Sequence, residues 1–248
     1  MQDIKIKEFE WWRDGKHDQF NAYQESKIKK KRFNMIFDIL DSKINVNNAQ
    51  SISSRGGHFK FKTKLNKKSK VLDVGCCSGL GLSIVKERYN CKVYGVDICQ
   101  EAIDHSLQLI PSGNFEVSNI CDLSYFKKFP DNFFDLVYCV GIMIHIPSKT
   151  PEDFKVKKSV IEEMYRISKC LVMYESSGYW NQCFEKTSPG NGTSQPGYYY
   201  TYDDYRLFLN KLELVADSSW IKNYIQEYGN GDTHNKFTYF GVEKQDDE

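Results

Sequence analysis

"VLDVGCCSGLGLSIV", residues 71–85, is the stretch on which the fold turns. Val71, Leu72 and Val74 form an apolar run that carries one carboxylate, Asp73, and stops at Gly75. Small residues follow through Gly79, and from Leu80 the apolar positions widen to helical spacing. The order is a buried strand, a bend holding Gly75, Gly79 and Gly81, and a helix start. Glycines let a backbone approach a ligand with no β-carbon in the way. Alone, such a loop is a weak sign of a nucleotide site, so its meaning depends on what surrounds it.

Outward from that stretch the same alternation continues. "KVYGVD" reads as a second strand and "QEAIDHSLQLI" as a second helix. "NFEVSN" is a third strand, "FFDLVYCV" a fourth, residues 152–168 a long helix and "CLVMYE" a fifth strand. Short apolar strands separated by helices predict a parallel sheet covered on both faces. A helix is expected near 202–212, and then "LELVADSSW" and "KFTYFGVEK" as an antiparallel edge hairpin. Upstream, residues 22–40 carry Ile28, Phe33, Ile36, Phe37 and Leu40 at helical spacing, with Lys and Arg opposite. Residues 41–69 read as a linker. The expected organisation is a basic N-terminal helical arm and linker, 1–69, and a domain, 70–248, with a lid loop at about 177–200.

In open parallel sheets, ligands bind at the carboxyl ends of the strands. The second strand ends in Asp97, 18 residues after Gly79. A carboxylate there can accept both hydroxyls of a ribose, so loop and acid together point to a nucleoside-containing cofactor. A dinucleotide fingerprint would need G-x-G-x-x-G, and a triphosphate loop a following lysine. Neither is present.

The pattern D-x-G-x-x-x-G of "VLDVGCCSG", with "VYGVDI", "FEVSNICDL" and "FFDLVYCVGIMIHIP" in that order, resembles the class I S-adenosylmethionine (SAM)-dependent methyltransferases. The resemblance is close over 70–175. It implies an α/β, Rossmann-like, doubly wound and mostly parallel seven-stranded sheet, with SAM as the cofactor. Carried over by position, Gly75 and Gly79 belong to the loop against the methionine part, Asp97 holds the ribose and Ile98 lies beside the adenine. Asn119 would take the adenine amino group through its carbonyl oxygen, with Asp122 as a rival if the loop is shifted. Ile120 would offer its backbone N–H, and Cys139 and Val140 would line the floor. Cys77 stands where the family commonly has glycine. A side chain is acceptable there if φ is negative and the thiol points away. Nothing in the nearby sequence would make that thiol a nucleophile.

Methyl transfer from a sulfonium is mainly a matter of aligning an acceptor; a hydroxyl acceptor also gains from a general base. His145, just beyond the fourth strand, is the candidate base, with a loop-packing role as the alternative. Glu175, ending the fifth strand, is a second candidate base or substrate anchor, unless it is only a solvent-exposed strand end. Aromatic residues in two polar segments, Trp12 and Tyr23 before the first helix and Trp180, Tyr198 and Tyr200 after the fifth strand, are candidates for the acceptor pocket. The family's N/D-P-P-Y/F/W motif for nitrogen acceptors is replaced by "CVGIMIH", and a Pro-Cys nucleophile is missing. The expected acceptor is therefore a hydroxyl of a small polar metabolite, such as a sugar or nucleotide-linked sugar.

Charge and cysteine usage fit this reading. Residues 1–70 hold 17 Lys and Arg against 8 Asp and Glu, although the whole chain is only +1. That arm suits an anionic acceptor or is simply a solvated face. It also keeps open an RNA methyltransferase using residues 27–32, which would bind RNA with strong salt dependence. A third alternative is a SAM-binding protein without turnover. The eight cysteines contain no C-x-x-C spacing and read as reduced, mostly buried thiols, with no metal site expected. No 18-residue apolar run suggests a membrane span, and "MQDIKIKEFEWW" lacks a signal core, so a cytoplasmic location is expected.

Overall fold

The structure, a computed structural model, describes residues 27–44, 60–146, 151–176, 184–185, 198–199, 202–216 and 237–244. In chain order the regular elements are α1 (Lys27–Leu40), β1 (Lys70–Val74), α2 (Leu80–Tyr89), β2 (Lys92–Asp97), α3 (Gln100–Leu109), β3 (Asn114–Val117) and β4 (Leu136–Val140). There follow α4 (Pro151–Ile167), β5 (Cys170–Ser176), β6 (Phe184–Glu185), β7 (Tyr198–Tyr199), α5 (Tyr202–Phe208), β8 (Glu213–Ala216) and β9 (Phe237–Glu243). Seven strands make one sheet in the order β3-β2-β1-β4-β5-β9-β8. The β1–β2, β2–β3, β1–β4 and β4–β5 pairs are parallel; β9 is antiparallel to β5 and to β8. The expected C-terminal hairpin forms, with β8 as the edge and β9 inside the sheet.

The central strands are apolar on both faces because helices cover both. Val71, Val93, Tyr138 and Val172 face one core with α1 and α2 residues, while Leu72, Val96, Val137 and Leu171 face the other with α4 and α5. Helix α1 buries Phe33, Met35, Ile36, Phe37, Ile39 and Leu40 in the first core. At about 1.5–3 kcal/mol for each large apolar side chain removed from water, that burial outweighs the single partly buried ion pair beside it, since pairs near the surface are typically worth about 1 kcal/mol or less. The pair still fixes direction: Arg88 of α2 reaches Asp38 at 2.7 Å, and the Tyr89 hydroxyl donates to Asp41 at 2.9 Å. Gly81 permits the close crossing, since a Cβ there would lie 2.6 Å from both Phe33 and the Tyr138 hydroxyl. Residues 60–63 are tied to the end of β9, where Glu243 accepts the Lys62 amide at 2.7 Å and bonds Thr63.

The chain runs from β1 to β2 and β3 on one side, then crosses to β4 and β5 on the other. The order therefore reverses at β1, and a crevice opens beyond the carboxyl ends of β1 and β4. No helix among the described residues is long and apolar enough to cross a membrane.

Candidate functional site

The bend after β1 is held from three sides. Gly75 and Cys76 both donate to Val96 O of β2, at 2.8 and 3.0 Å. Gly79 donates back to Cys76 O at 3.0 Å. Ser106 of α3 places its Oγ 2.8 Å from Cys77 O and 3.0 Å from Ala102 O, sharing one proton between two carbonyls. Gly75 and Gly79 have φ of +75° and +77°, a region in which a side chain is strained. Space excludes one as well. A Cβ on Gly75 would meet Ile142 Cδ1 at 2.2 Å, and one on Gly79 would meet Ser106 Oγ at 2.9 Å.

Cys77 corrects an expectation. Its φ is +48°, not negative, because its amide must turn to donate to Asp97 Oδ2 at 2.9 Å while its carbonyl turns to Ser106. The cysteine occupies a glycine-like backbone position, with its side chain packed against Cys99 and Ala102. Cys99 also donates to Asp97, through its amide to Oδ1 at 3.0 Å. Each oxygen of Asp97 thus holds one backbone amide. The two amides fix the orientation of the carboxylate.

Beneath the bend, Asp73 is buried at 2% exposure. Burial first, and then the charge of Asp97, push its carboxyl up to about 8, while the Tyr138 hydroxyl works in the other direction. Across β4, Glu175 is fully buried. This overturns the exposed strand end offered as its alternative. Oε1 accepts the Ile142 amide at 3.1 Å and the Cys139 thiol at 3.3 Å. Oε2 is buried, with no hydrogen bond among the described residues. Burial raises this carboxyl to about 7 against the pull of the Ile142 and Met143 amides, Cys139 and Lys157.

The chain after β4 turns at Gly141, φ +67°, whose amide donates to Tyr174 O at 2.9 Å. A Cβ on Gly141 would meet nothing within 4 Å among the described residues. A short 3-10 turn, Met143–His145, follows and leaves His145 half-buried, its amide donating to Ile142 O at 2.9 Å. Strand β7 lies against this turn and pairs with β6.

Asn119 caps a 3-10 turn, its Oδ1 accepting the Cys121 amide at 3.0 Å. The oxygen expected to meet an adenine amino group therefore also has a structural task. Asp122, the rival for that role, is exposed and accepts from Ser124 at 2.8 Å through the amide and 2.7 Å through the hydroxyl. Ile98 is half-buried just past β2, Ile120 is buried, Cys139 is buried and Val140 half-buried at the end of β4. Gly75, Gly79, Asp97, Cys139, Val140 and His145 thus gather around the crevice, with Ile98, Asn119 and Ile120 beyond β2 and β3. Trp12, Tyr23, Trp180 and Tyr200 lie outside the described residues; Tyr198 starts β7. Ser106 and Ile142, which shape the bend, were missed by sequence reasoning. Ala102 and Ser106, small residues four apart on α3, were the available signal for a close helix–loop contact.

Comparison with known proteins adds to this geometry. Residues 72–170 match the model of a methyltransferase domain. The chain is 34% identical over 86 residues to the phosphoethanolamine N-methyltransferase of Plasmodium falciparum, covering 34% of this chain and 31% of that protein. It is 34% identical over 109 residues to phosphoethanolamine N-methyltransferase 1 of Arabidopsis thaliana, covering 40% of this chain and 21% of the relative. The chain thus matches less than a third of the length of either. Among solved structures it resembles phosphoethanolamine N-methyltransferase 2 of Haemonchus contortus in complex with phosphomonomethylethanolamine and S-adenosylhomocysteine, with a TM-score of 0.53 at 13% identity, over 74% of this chain and 50% of that one. It also resembles the SAM-bound magnesium protoporphyrin IX methyltransferase of Synechocystis, with a TM-score of 0.53 at 14% identity, over 94% and 90%. At these identities the structural likeness is one of fold.

Proposed function

We propose that this chain, whose residues 72–170 match a methyltransferase domain, is a class I SAM-dependent enzyme that transfers the methyl group of SAM to a small polar acceptor. The observation that carries the reading is Asp97 at the carboxyl end of β2, oriented by the amides of Cys77 and Cys99 on either side. That is the arrangement a ribose diol needs: a carboxylate fixed on a rigid strand end. The glycine bend, with its positive φ at Gly75 and Gly79, suits the rest of the cofactor. When bound, SAM supplies an electrophilic methyl group on a sulfonium. Among this chain's residues, Ile98, Asn119 and Ile120 flank the adenine side, and Cys139, Val140 and Gly141 border the reacting side.

His145 is the proton acceptor in this reading. A hydroxyl or an ammonium must lose a proton to become a methyl acceptor, and imidazole is basic enough to take it near neutrality. Its place on the turn beside Gly141, half-buried and next to β7, suits that task. The relatives change the order in which acceptors are tried. Phosphoethanolamine comes first, because two relatives of that name match 34% and 40% of this chain; the sugar hydroxyl comes second. Both acceptors are polar, and a phosphate would suit the basic arm.

Calorimetric titration with S-adenosylhomocysteine, followed by turnover assays with phosphoethanolamine and a panel of sugars, tests the proposal. The parent should bind, and Asp97→Ala should weaken binding by about 1.5–3 kcal/mol, the value of hydrogen bonds to a charged acceptor. His145→Ala should leave that affinity nearly intact and lower turnover by about 10²–10⁴-fold. A parent that does not bind would sink the reading. Binding with no turnover on any acceptor would favour a SAM-binding protein without catalysis.

A further inference from the structure

We infer that Glu175 is a positioning residue: its buried carboxyl sets the height of the loop after β4, and through Ile142 that loop sets the shape of the cofactor bend. The contacts form a continuous chain. Glu175 leaves the end of β5 fully buried and presents Oε1 to the Ile142 amide at 3.1 Å. One residue earlier, Gly141 donates to Tyr174 O at 2.9 Å, so two successive amides of the loop are fixed by two successive residues of β5. The Ile142 side chain then lies across Gly75, close enough that a Cβ there would overlap it at 2.2 Å. The Ile142 carbonyl in turn accepts the His145 amide at 2.9 Å. One side chain therefore reaches both the glycine bend and the turn that carries the proposed proton acceptor.

The burial of Glu175 argues against simple packing. A carboxyl taken fully out of water costs stability unless it makes bonds that matter. Here one oxygen is spent on the loop and the Cys139 thiol, while the other has no hydrogen bond among the described residues. An apolar side chain of the same volume would fill the space at lower cost, but it would leave the Ile142 amide without its acceptor. Gly141, at φ +67°, gives the loop a backbone that can swing if that restraint is lost. The required property is thus an acceptor at one place, not a charge.

Two substitutions separate these roles. Glu175→Gln keeps a carbonyl oxygen for the Ile142 amide; Glu175→Met keeps the volume and removes the acceptor. Hydrogen exchange of residues 141–145 is read by NMR on the protein without ligand, with the β1 amides setting the level for global opening. Glu175→Met should speed exchange at Ile142 by about 10–100-fold relative to the parent, as expected for a buried amide losing its partner. Glu175→Gln should stay close to the parent. Titration with S-adenosylhomocysteine should follow the same order, with weaker binding for Glu175→Met and recovery in Glu175→Gln. Parent-like exchange in Glu175→Met would overturn the inference, and so would a Glu175→Gln protein as fast as Glu175→Met, since charge would then be the requirement. The binding arm rests on the SAM reading of the crevice; the exchange arm does not. A parent that fails to bind S-adenosylhomocysteine would refute the function and leave the exchange result to decide the role of Glu175.

Discussion

At the scale of single residues, Cys77 shows how a site can ask for one residue type and hold another. The position needs φ near +48° so that its amide meets Asp97 and its carbonyl meets Ser106. An L side chain in that region costs about 1–2 kcal/mol. Glycine would remove the strain but give back about 0.4–1 kcal/mol through the greater freedom of the unfolded chain. Cys77→Gly should therefore stabilise the protein by roughly 0.5–1 kcal/mol, read as a higher urea midpoint with an unchanged slope. A lower midpoint would mean that the thiol's packing against Cys99 and Ala102 outweighs the strain. The sign of φ was not legible in the sequence, because it follows from two bonds to residues 20 and 29 positions away. Asp97 was legible because strand-end acids are set by local pattern alone. Glu175 was legible as a strand end but not as a buried one, because its cover is the loop after β4, folded back from a different strand.

At the scale of elements, the parts set by short-range patterning were readable, and the parts set by partners distant in sequence were not. The runs at 70–75, 92–97 and 170–175 became β1, β2 and β5 almost residue for residue, since apolar runs of that length bounded by glycine or polar residues have few alternatives. The fourth run, from Phe133, is shorter as a strand: β4 begins at Leu136, and Phe134 keeps only one isolated bridge to Ser168. Its first aromatics join a cluster with Tyr94 and Phe129 instead. The hairpin of β8 and β9 was readable as a pair. That β9 would enter the sheet beside β5 was not, because strand order is decided by which edge the chain returns to. Helix α1 was readable as amphipathic, but its use was not. The Lys- and Arg-rich face drew attention, whereas the apolar face does the docking, with Phe33 seated over Gly81. That glycine looked like part of a ligand loop. It lies one residue into α2, where its missing side chain admits a helix from outside the motif region.

At the scale of the whole molecule, two protonatable carboxyls are buried in the middle of the sheet, one on each side of β4. Asp73 on β1 pairs in register with Tyr138, and Glu175 on β5 is bonded to Cys139. Burial raises both, to about 8 for Asp73 and about 7 for Glu175, from ordinary values of 3.8 and 4.5. The direction of the consequence follows from proton counting. Between about pH 5 and 6 the unfolded chain has lost both protons and the folded chain still holds them, so folding takes up protons. Stability then falls as pH rises through that window, and goes on falling until the folded carboxyls have ionised. At about 1.36 kcal/mol for each unit of raised pKa, and allowing for relaxation around a buried charge, the loss from pH 5 to pH 8 should be on the order of 3 kcal/mol. Urea unfolding at a series of pH values measures it directly. The parent should lose stability across that range, and a protein carrying both Asp73→Asn and Glu175→Gln should have a flatter profile, because neither replacement ionises. A parent whose stability is level or rising from pH 5 to pH 8 would show that both carboxyls are ionised in the fold, with counter-charges strong enough to repay their burial.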